Sequence, residues 1–384
     1  MTQVLEQPAP KAAGKTAKLV LAKASQRDLL KALQAVAGIV ERRHTLPILG
    51  NVLLVKDGPS LSFTTSDLEH QMDLPTELGT GESSTKTTVA ARKMLDILKS
   101  LPEEGSVTLT LDGERLVITG GKSRFTLHTL PAADFPLVVE EKYDTTITMP
   151  QKALLRLIDQ VAYSMAVRDI RFYLNGMLLE TDGTSVRGVA TDGHRMATAE
   201  VTIDAPADNR MVIIPSKAVL ELQRLLKDND DPMQIQLSGN QAAFTFAGQK
   251  FITKLVEGKF PDYRRVLPSA VEHTVTFERS MLLQSLLRAE LMSSEKFRGV
   301  QLTFDKDTLE INVGSGDETG REQIGIDYEG GELTIGFNVS FLISALQNLT
   351  GDEVKLGLRD MNASVLITDP SNTAFRAVVM PMKV

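Results

Sequence analysis

Hydrophobic residues recur along this chain in six short amphipathic segments built to one pattern. A polar anchor comes first, one residue is skipped, two apolar residues stand together, and apolar positions then continue at helical spacing. The anchors and pairs are Arg27 with Leu29-Leu30, Arg92 with Met94-Leu95, and Lys152 with Leu154-Leu155. Lys217 with Val219-Leu220, Ser280 with Leu282-Leu283, and Ser340 with Leu342-Ile343 complete the set. Successive anchors are 65, 60, 65, 63 and 60 residues apart. A fixed period marks a repeated unit whose copies share a core. One copy of this size is small for a self-sufficient domain, whereas a pair makes one of ordinary size. The spacing predicts three domains of two half-domains each.

Most helical segments are followed by a polar break and then by strict alternation. Val107-Thr108-Leu109-Thr110-Leu111, Ile235-Gln236-Leu237 and Val354-Lys355-Leu356-Gly357-Leu358 have the period of two that marks strands with one buried face. Asp57-Gly58, Asp112-Gly113 and Asp182-Gly183 fall between such runs, where tight hairpins need residues that tolerate positive φ. Each half-domain therefore reads as one helix plus about four antiparallel strands, an α+β fold. Ser25 with Asp28 has the spacing of a helix cap, and Pro150 and Pro215 suit a first helical turn. Leu29, Leu30, Leu33, Val36 and Ala37 form one apolar stripe, and Leu154, Leu155, Ile158, Val161 and Ala162 repeat it. Such a stripe must lie on a sheet, with the polar face turned outward.

The outward positions change the picture. Arg27, Arg92, Lys152 and Lys217 occupy the same pattern position in four of six units, and further Lys and Arg residues lie on or beside those helices. In a symmetric arrangement equivalent positions face one common space, and that space becomes positive. The plainer alternative is that these cations solvate helix surfaces. The net charge of −7 argues weakly against a nucleic-acid partner, but a total hides its distribution. The absence of cysteine excludes disulfides, thiolate metal sites and cysteine nucleophiles. No apolar run approaches the roughly 20 residues of a membrane-spanning helix, and no signal-peptide pattern opens the chain, so a cytoplasmic location is expected. Residues 1–18 read as a disordered tail.

Two further features invite chemistry. His194 beside Asp192 suggests acid–base work, but no nucleophile motif accompanies them. Gly79-Thr80-Gly81 lacks the continuation of a nucleotide loop and reads as a flexible hairpin. An enzyme built of internal α/β repeats, with an interdomain active site, would need clustered acids and bases or a phosphate loop. The chain shows neither, and neither a cofactor nor a metal is expected.

Several longer signatures carry a resemblance. These are Thr45-Leu46-Pro47-Ile48-Leu49-Gly50-Asn51, Leu130-Pro131-Ala132-Ala133-Asp134-Phe135-Pro136 and Thr191-Asp192-Gly193-His194-Arg195. Phe260-Pro261-Asp262-Tyr263-Arg264-Arg265-Val266, Gly336-Phe337-Asn338-Val339-Ser340 and Val379-Met380-Pro381-Met382 follow in order. Together they resemble the bacterial sliding clamps, the beta subunits of DNA polymerase III, from about Lys18 to the end. The resemblance implies clamp domains at 19–144, 145–271 and 272–384, and a head-to-tail homodimer closing a ring around double-stranded DNA. Helices would line the hole, meet phosphates and ignore sequence. It implies a non-catalytic processivity factor whose partners are the replicative polymerase, the clamp loader and other proteins with clamp-binding motifs.

Positions matching the family's DNA contacts are Arg43, Arg92, Arg168, Phe172 and Tyr173, and Lys217 joins them as a basic anchor. Some relatives carry a neutral amide at position 168 and tyrosine at 172, so Arg168 adds a charge and Phe172 lacks a hydroxyl. Positions matching the family's peptide groove begin with Leu174, Thr191, Gly193, His194, Arg195 and Met196. Pro261, Arg265 and Val266 follow, then Asn338, Ser364, Val378, Val379, Met380, Pro381 and Met382. Flexible thioethers suit a groove that refits to several peptides. Without the resemblance, Met380 and Met382 would read as a last strand packed in the core.

Overall fold

A computed structural model describes residues 18–41, 46–268, 270–293, 298–315 and 318–383. The described residues fall into two compact units, one within Met1–Val138 with Gly248–Lys250, the other within Val139–Ala247 with Phe251–Val384. Within the first unit, β1 (Leu19–Ser25) leads into α1 (Gln26–Val36), followed by β2 (Asn51–Asp57), β3 (Ser60–Ser66) and β4 (His70–Thr76). The same order returns as β5 (Ser84–Ala90), α2 (Ala91–Ser100), β6 (Ser106–Asp112), β7 (Arg115–Gly120) and β8 (Ser123–Leu130). These strands form the antiparallel order β1-β6-β7-β8-β5-β2-β3-β4.

The second unit repeats the scheme with β9 (Thr145–Pro150), α3 (Gln151–Val161), β10 (Gly176–Thr191) and β11 (Arg195–Pro215). Then come α4 (Ser216–Leu225), β12 (Pro232–Leu237), β13 (Gln241–Phe246) and β14 (Gln249–Lys254). Next are β15 (His273–Glu278), α5 (Arg279–Glu290), β16 (Gly299–Asp305), β17 (Thr308–Ser315) and β18 (Glu318–Gly325). The last copy is β19 (Leu333–Asn338), α6 (Val339–Gln347), β20 (Glu353–Leu358), β21 (Val365–Asp369) and β22 (Asn372–Val379). Three sheets result, ordered β14-β13-β12-β9, β10-β11-β22-β21-β20-β15 and β18-β17-β16-β19.

The long β10 fits the strand-helix-three-strand scheme once its path is followed. Arg187 Nη1 lies 2.9 Å from Glu180 Oε2, although seven residues of straight strand would span roughly 23 Å. A Cβ on Gly188 would lie 3.4 Å from Met177 Sδ. The strand therefore folds back at Asp182-Gly183, where Gly183 has φ +61°. Its legs 176–181 and 185–191 pair with opposite ends of β11. Counting legs, every half-domain has one helix and four strands. Asp57-Gly58 and Asp112-Gly113 close hairpins as expected, with Asp57 opposite Ser60 and Asp112 opposite Arg115.

All six expected helices form, and they touch in pairs, α1 with α2, α3 with α4, and α5 with α6. The first apolar residue of every pair is buried: Leu29, Met94, Leu154, Val219, Leu282 and Leu342. The second, about 100° around the helix, lies at the stripe's margin. Leu30, Leu95, Leu155 and Leu283 are half-buried, Leu220 is exposed, and only Ile343 is buried. Ser25 accepts from the Asp28 backbone N–H at 3.0 Å, as a cap should. Pro150 and Pro215 correct the sequence reading by one residue, since they occupy cap positions before the first turn.

Gly79-Thr80-Gly81 is tied down rather than flexible. Gly79 N–H donates to Pro59 O at 2.8 Å, Thr80 N–H donates to Leu21 O at 3.2 Å, and Lys23 N–H donates to Thr80 Oγ1 at 3.0 Å. A Cβ on Gly79 would sit 2.7 Å from Pro59 O, which explains the glycine. Lys56, only 1% exposed, completes the lock by donating to the carbonyls of Gly58, Gly81 and Ser83 at 2.8, 3.2 and 2.6 Å. Lys56→Met would leave these carbonyls short of a donor and should destabilise the first unit by roughly 2–4 kcal/mol. Thermal unfolding should show a drop of several degrees, and an unchanged melting curve would show that the ammonium is dispensable. Among the described residues, no helix is long and apolar enough to cross a membrane.

Candidate nucleic-acid interface and peptide groove

Arg43 lies outside the described residues. In the first unit, Arg92 is the second residue of α2 and is exposed, with Nη2 donating to Val40 O at 2.7 Å. That single bond orients the guanidinium and leaves other N–H groups available to a phosphate. In the second unit Lys217 is the second residue of α4 and is half-buried.

Arg168, Phe172 and Tyr173 lie on the connection from α3 to β10, which is framed from within. Asn175 Oδ1 accepts from Asp169 N–H at 2.9 Å, and its Nδ2 donates to Asp169 O at 2.8 Å. Arg171 grips both Asp169 carboxylate oxygens at 3.0 and 2.8 Å and donates to Asp192 O at 3.1 Å. The Arg171 hydrogen bonds hold the Asp169 carboxyl down at about 2. The frame leaves Arg168 exposed in the left-handed region, φ +55°. Phe172 is 55% exposed and meets Tyr173 edge-on, with ring centroids 6.0 Å apart. An exposed cation beside an exposed ring suits phosphate pairing with base or sugar packing. Sequence reasoning missed Arg171, whose role comes from its position between Asp169 and the 192–193 turn.

Thr191-Asp192-Gly193-His194-Arg195 is the turn from β10 to β11. Asp192 Oδ1 accepts the backbone N–H groups of His194 and Arg195 at 2.9 and 3.0 Å, and its Oδ2 accepts from Arg195 Nε at 3.0 Å. Thr191 Oγ1 donates to Arg195 O at 2.7 Å. Gly193 has φ +90°, and a Cβ there would lie 3.0 Å from Arg171 Nη1. The acid–base reading of His194 and Asp192 loses its basis. The carboxylate is engaged by Arg195 and backbone amides, and the exposed imidazole stacks on Phe341 with centroids 6.5 Å apart.

The last strand completes this surface. β11 pairs with β22, Arg195 opposite Val379 and Met196 opposite Val378. Met380 N–H continues the ladder to His194 O at 2.9 Å, and Met382 N–H reaches Gly336 O at 2.8 Å. Met380 is 45% exposed, and Pro381 and Met382 are half-buried, so the methionines do not pack as a core strand. Arg195 lies over the Phe341 ring, 4.6 Å from its centroid. Phe341 is a second residue that sequence reasoning missed, although it adjoins the Gly336–Ser340 signature. Asn338 caps α6, its Oδ1 accepting from Ser340 N–H at 3.0 Å.

Leu174, Met196, Val378 and Val379 are buried and offer no free surface. Pro261, Arg265 and Val266 are exposed around a short 3-10 turn, where Arg265 Nε pairs with Asp262 Oδ2 at 3.0 Å. Arg265, Val266 and Ser364 line a recess of about 310 Å³ with Leu358 and Ala363. Val379 pairs with Arg195 on one side and Val365, the neighbour of Ser364, on the other. Strand β22 thus joins the methionine patch to the recess.

Sequence models of the DNA polymerase III beta subunit match all three parts: the N-terminal domain at residues 23–139, the central domain at 148–262 and the C-terminal domain at 264–383. The beta sliding clamp of Pseudomonas putida is 43% identical over 361 residues, covering 93% of this chain and 98% of the relative. The Escherichia coli beta sliding clamp is 42% identical over 360 residues, with the same coverage. A crystal structure of the Pseudomonas aeruginosa DNA polymerase sliding clamp superposes with a TM-score of 0.90 at 41% identity, covering 95% of this chain and all of that one. The chain therefore belongs to the DNA polymerase III beta subunit family, with three domains of the clamp fold and the role of a DNA sliding clamp.

Proposed function

We propose that two copies of this chain close head to tail into a ring around duplex DNA and tether a replicative polymerase without catalysis of their own. Clamp domains at 19–144, 145–271 and 272–384 and a cytoplasmic location accompany this reading. The observation that carries it is the sixfold strand-helix-three-strand repeat, with exposed cations at equivalent helix positions: Arg27, Arg92 and Lys152. Lys152 already pairs with Asp230 at 2.6 Å, so its attraction for phosphate is weaker than that of Arg92. Clamp-binding segments would dock along Met380, His194 and the Arg265–Val266 recess, and the polymerase, the clamp loader and other partners would compete for it. The curated relatives are named as beta sliding clamps, which supports the reading.

The proposed ring surrounds DNA by topology, so loaded protein should stay on nicked circular DNA and slide off a linearised molecule. Equal retention on both forms would overturn it. Arg43→Ala, Arg92→Ala and Arg168→Ala should each weaken direct DNA binding and lower the salt slope by about one unit per lost phosphate contact. Melting temperature should hold, because the substitutions at the exposed Arg92 and Arg168 remove surface cations. Unchanged affinity in all three would remove these positions from the interface.

A further inference from the structure

We infer that Glu180 is a positioning residue for the peptide groove, setting the edge made by Pro261, Arg265 and Val266 through Tyr263 and Arg264. The inference rests on the proposed groove and deepens it. Glu180 stands on the first leg of β10, 7% exposed. Its Oε2 accepts from the Tyr263 hydroxyl at 2.6 Å and from Arg187 Nη1 at 2.9 Å, while Oε1 accepts from Arg264 Nη2 at 2.6 Å. Arg187 also donates Nε to Glu200 Oε2 at 2.9 Å and Nη1 to the Tyr263 oxygen at 3.0 Å. One carboxylate thus gathers three donors, two of them on consecutive residues of the segment that bears the groove edge.

The geometry divides that segment into an anchored side and a presented side. Tyr263 is 3% exposed and packs with Phe260 on Leu178, Val189, Met196 and Val378. One turn later Arg265 and Val266 face solvent, and Val266 N–H donates to Tyr263 O at 3.0 Å. The Asp262–Arg265 pair is open to water and worth little by itself. What anchors the turn is therefore the packed Tyr263 ring, with its hydroxyl and the Arg264 guanidinium tied to Glu180. Burial pushes the Glu180 carboxyl up, but the bonds from Tyr263, Arg264 and Arg187 outweigh it and leave it below the ordinary glutamate range. The charged form is the one the network holds. Loss of the network leaves the groove's residues in place chemically but loosens one edge, and ordering a loose edge on binding weakens affinity.

The test uses the full-length dimer and a fluorescent peptide carrying leucine and phenylalanine anchors. Tyr263→Phe, which removes one hydroxyl, should raise the peptide Kd roughly three- to tenfold. Amide hydrogen exchange should quicken over residues 261–266 and stay unchanged over 191–196. Elution mass and retention on circular DNA should match the native chain. Glu180→Ala should do more, and Glu180→Gln, which keeps an acceptor, should fall between. If Glu180→Ala fails to fold, Tyr263→Phe carries the test alone. A peptide Kd within about twofold of native, with exchange quickened, would overturn the inference, because the network would then be structural only. Lost affinity without quickened exchange would overturn it too. Met380→Ser separates the two readings. If it also leaves peptide affinity untouched, the groove itself is misplaced and both fall. If it weakens binding while Tyr263→Phe does not, only the positioning role fails.

Discussion

Leu291→Asp should turn a two-chain species into monomers at micromolar concentration, and DNA retention should disappear with it. Two strand edges suggest where the proposed ring would close. Among the described residues, β18 ends its sheet, paired only with β17. Among the same residues, β8 pairs with β7 through residues 123–128 and meets β5 through Thr129 and Leu130, which leaves 123–128 with one open edge. Open edges are templates for pairing, and an edge of the first domain meeting one of the third makes a heterologous contact. Phe125 and Leu127, on alternate positions of β8, are half-buried. Leu291, just after α5, is 81% exposed, and Met292 beside it packs close to Gly320 of β18. In the proposed seam these apolar residues cover one another. Burying a leucine is worth roughly 1.5–3 kcal/mol, which the substitution forfeits. An unpaired carboxylate in the same place costs several kcal/mol more. At about 4 kcal/mol per seam and two seams per ring, the dimer weakens by about five decades or more. Because Leu291 is exposed in the single chain, its fold should survive. Light scattering checks the mass, and an intact dimer would place the seam elsewhere.

The repeat was legible because it is written in local periodicity. Anchor spacing located all six helices, and alternation located β6, β12 and β20. Details that depend on a neighbour were not legible. The pair rule placed Leu155 in the α3 stripe, but Leu157 is the residue buried there, since the stripe's margin is decided by what lies against it. Pro150 and Pro215 were read one position late because proline suits both a cap and a first turn. Gly79-Thr80-Gly81 looked flexible by composition, and only the approach of Pro59 and Lys56 shows that it is locked.

The same distinction holds at the site. Motif matches named the turn at 191–195 and the terminal methionines because those residues are contiguous. Phe341 and Arg171 escaped notice because their roles exist only across elements, Phe341 beneath Arg195 of β11 and Arg171 against Asp169 and Asp192. Glu180 is the extreme case. No local pattern marks a glutamate on a strand as the acceptor for a tyrosine and an arginine more than eighty residues away. Conversely, Leu174, Met196 and Val378 carry the motif but are buried, so in the proposed groove they would act through its shape.

Met380→Ser with Met382→Ser should abolish polymerase stimulation while leaving the ring able to encircle DNA. Met380 hangs from a backbone bond to His194 and Met382 from one to Gly336, so both positions are set by the main chain and survive the change of side chain. What the double substitution removes is two flexible apolar side chains, one on the backbone bonded to His194 and one on the backbone bonded to Gly336. A short linear segment burying aliphatic or aromatic anchors here, at about 25 cal/mol per Å² less ordering costs, is expected to bind at micromolar strength. Losing the thioether contacts should forfeit roughly 2–3 kcal/mol, a weakening of about 30- to 150-fold, which takes such a segment out of its working range. The decisive measurement is a pair of assays on the double variant, peptide affinity and retention on circular DNA. Retention should be native, since neither methionine lies near β8, β18 or the basic helix positions in sequence or in strand pairing. Native peptide affinity would mean that the groove lies elsewhere, and the exposed Met380 and half-buried Met382 would be left without a partner.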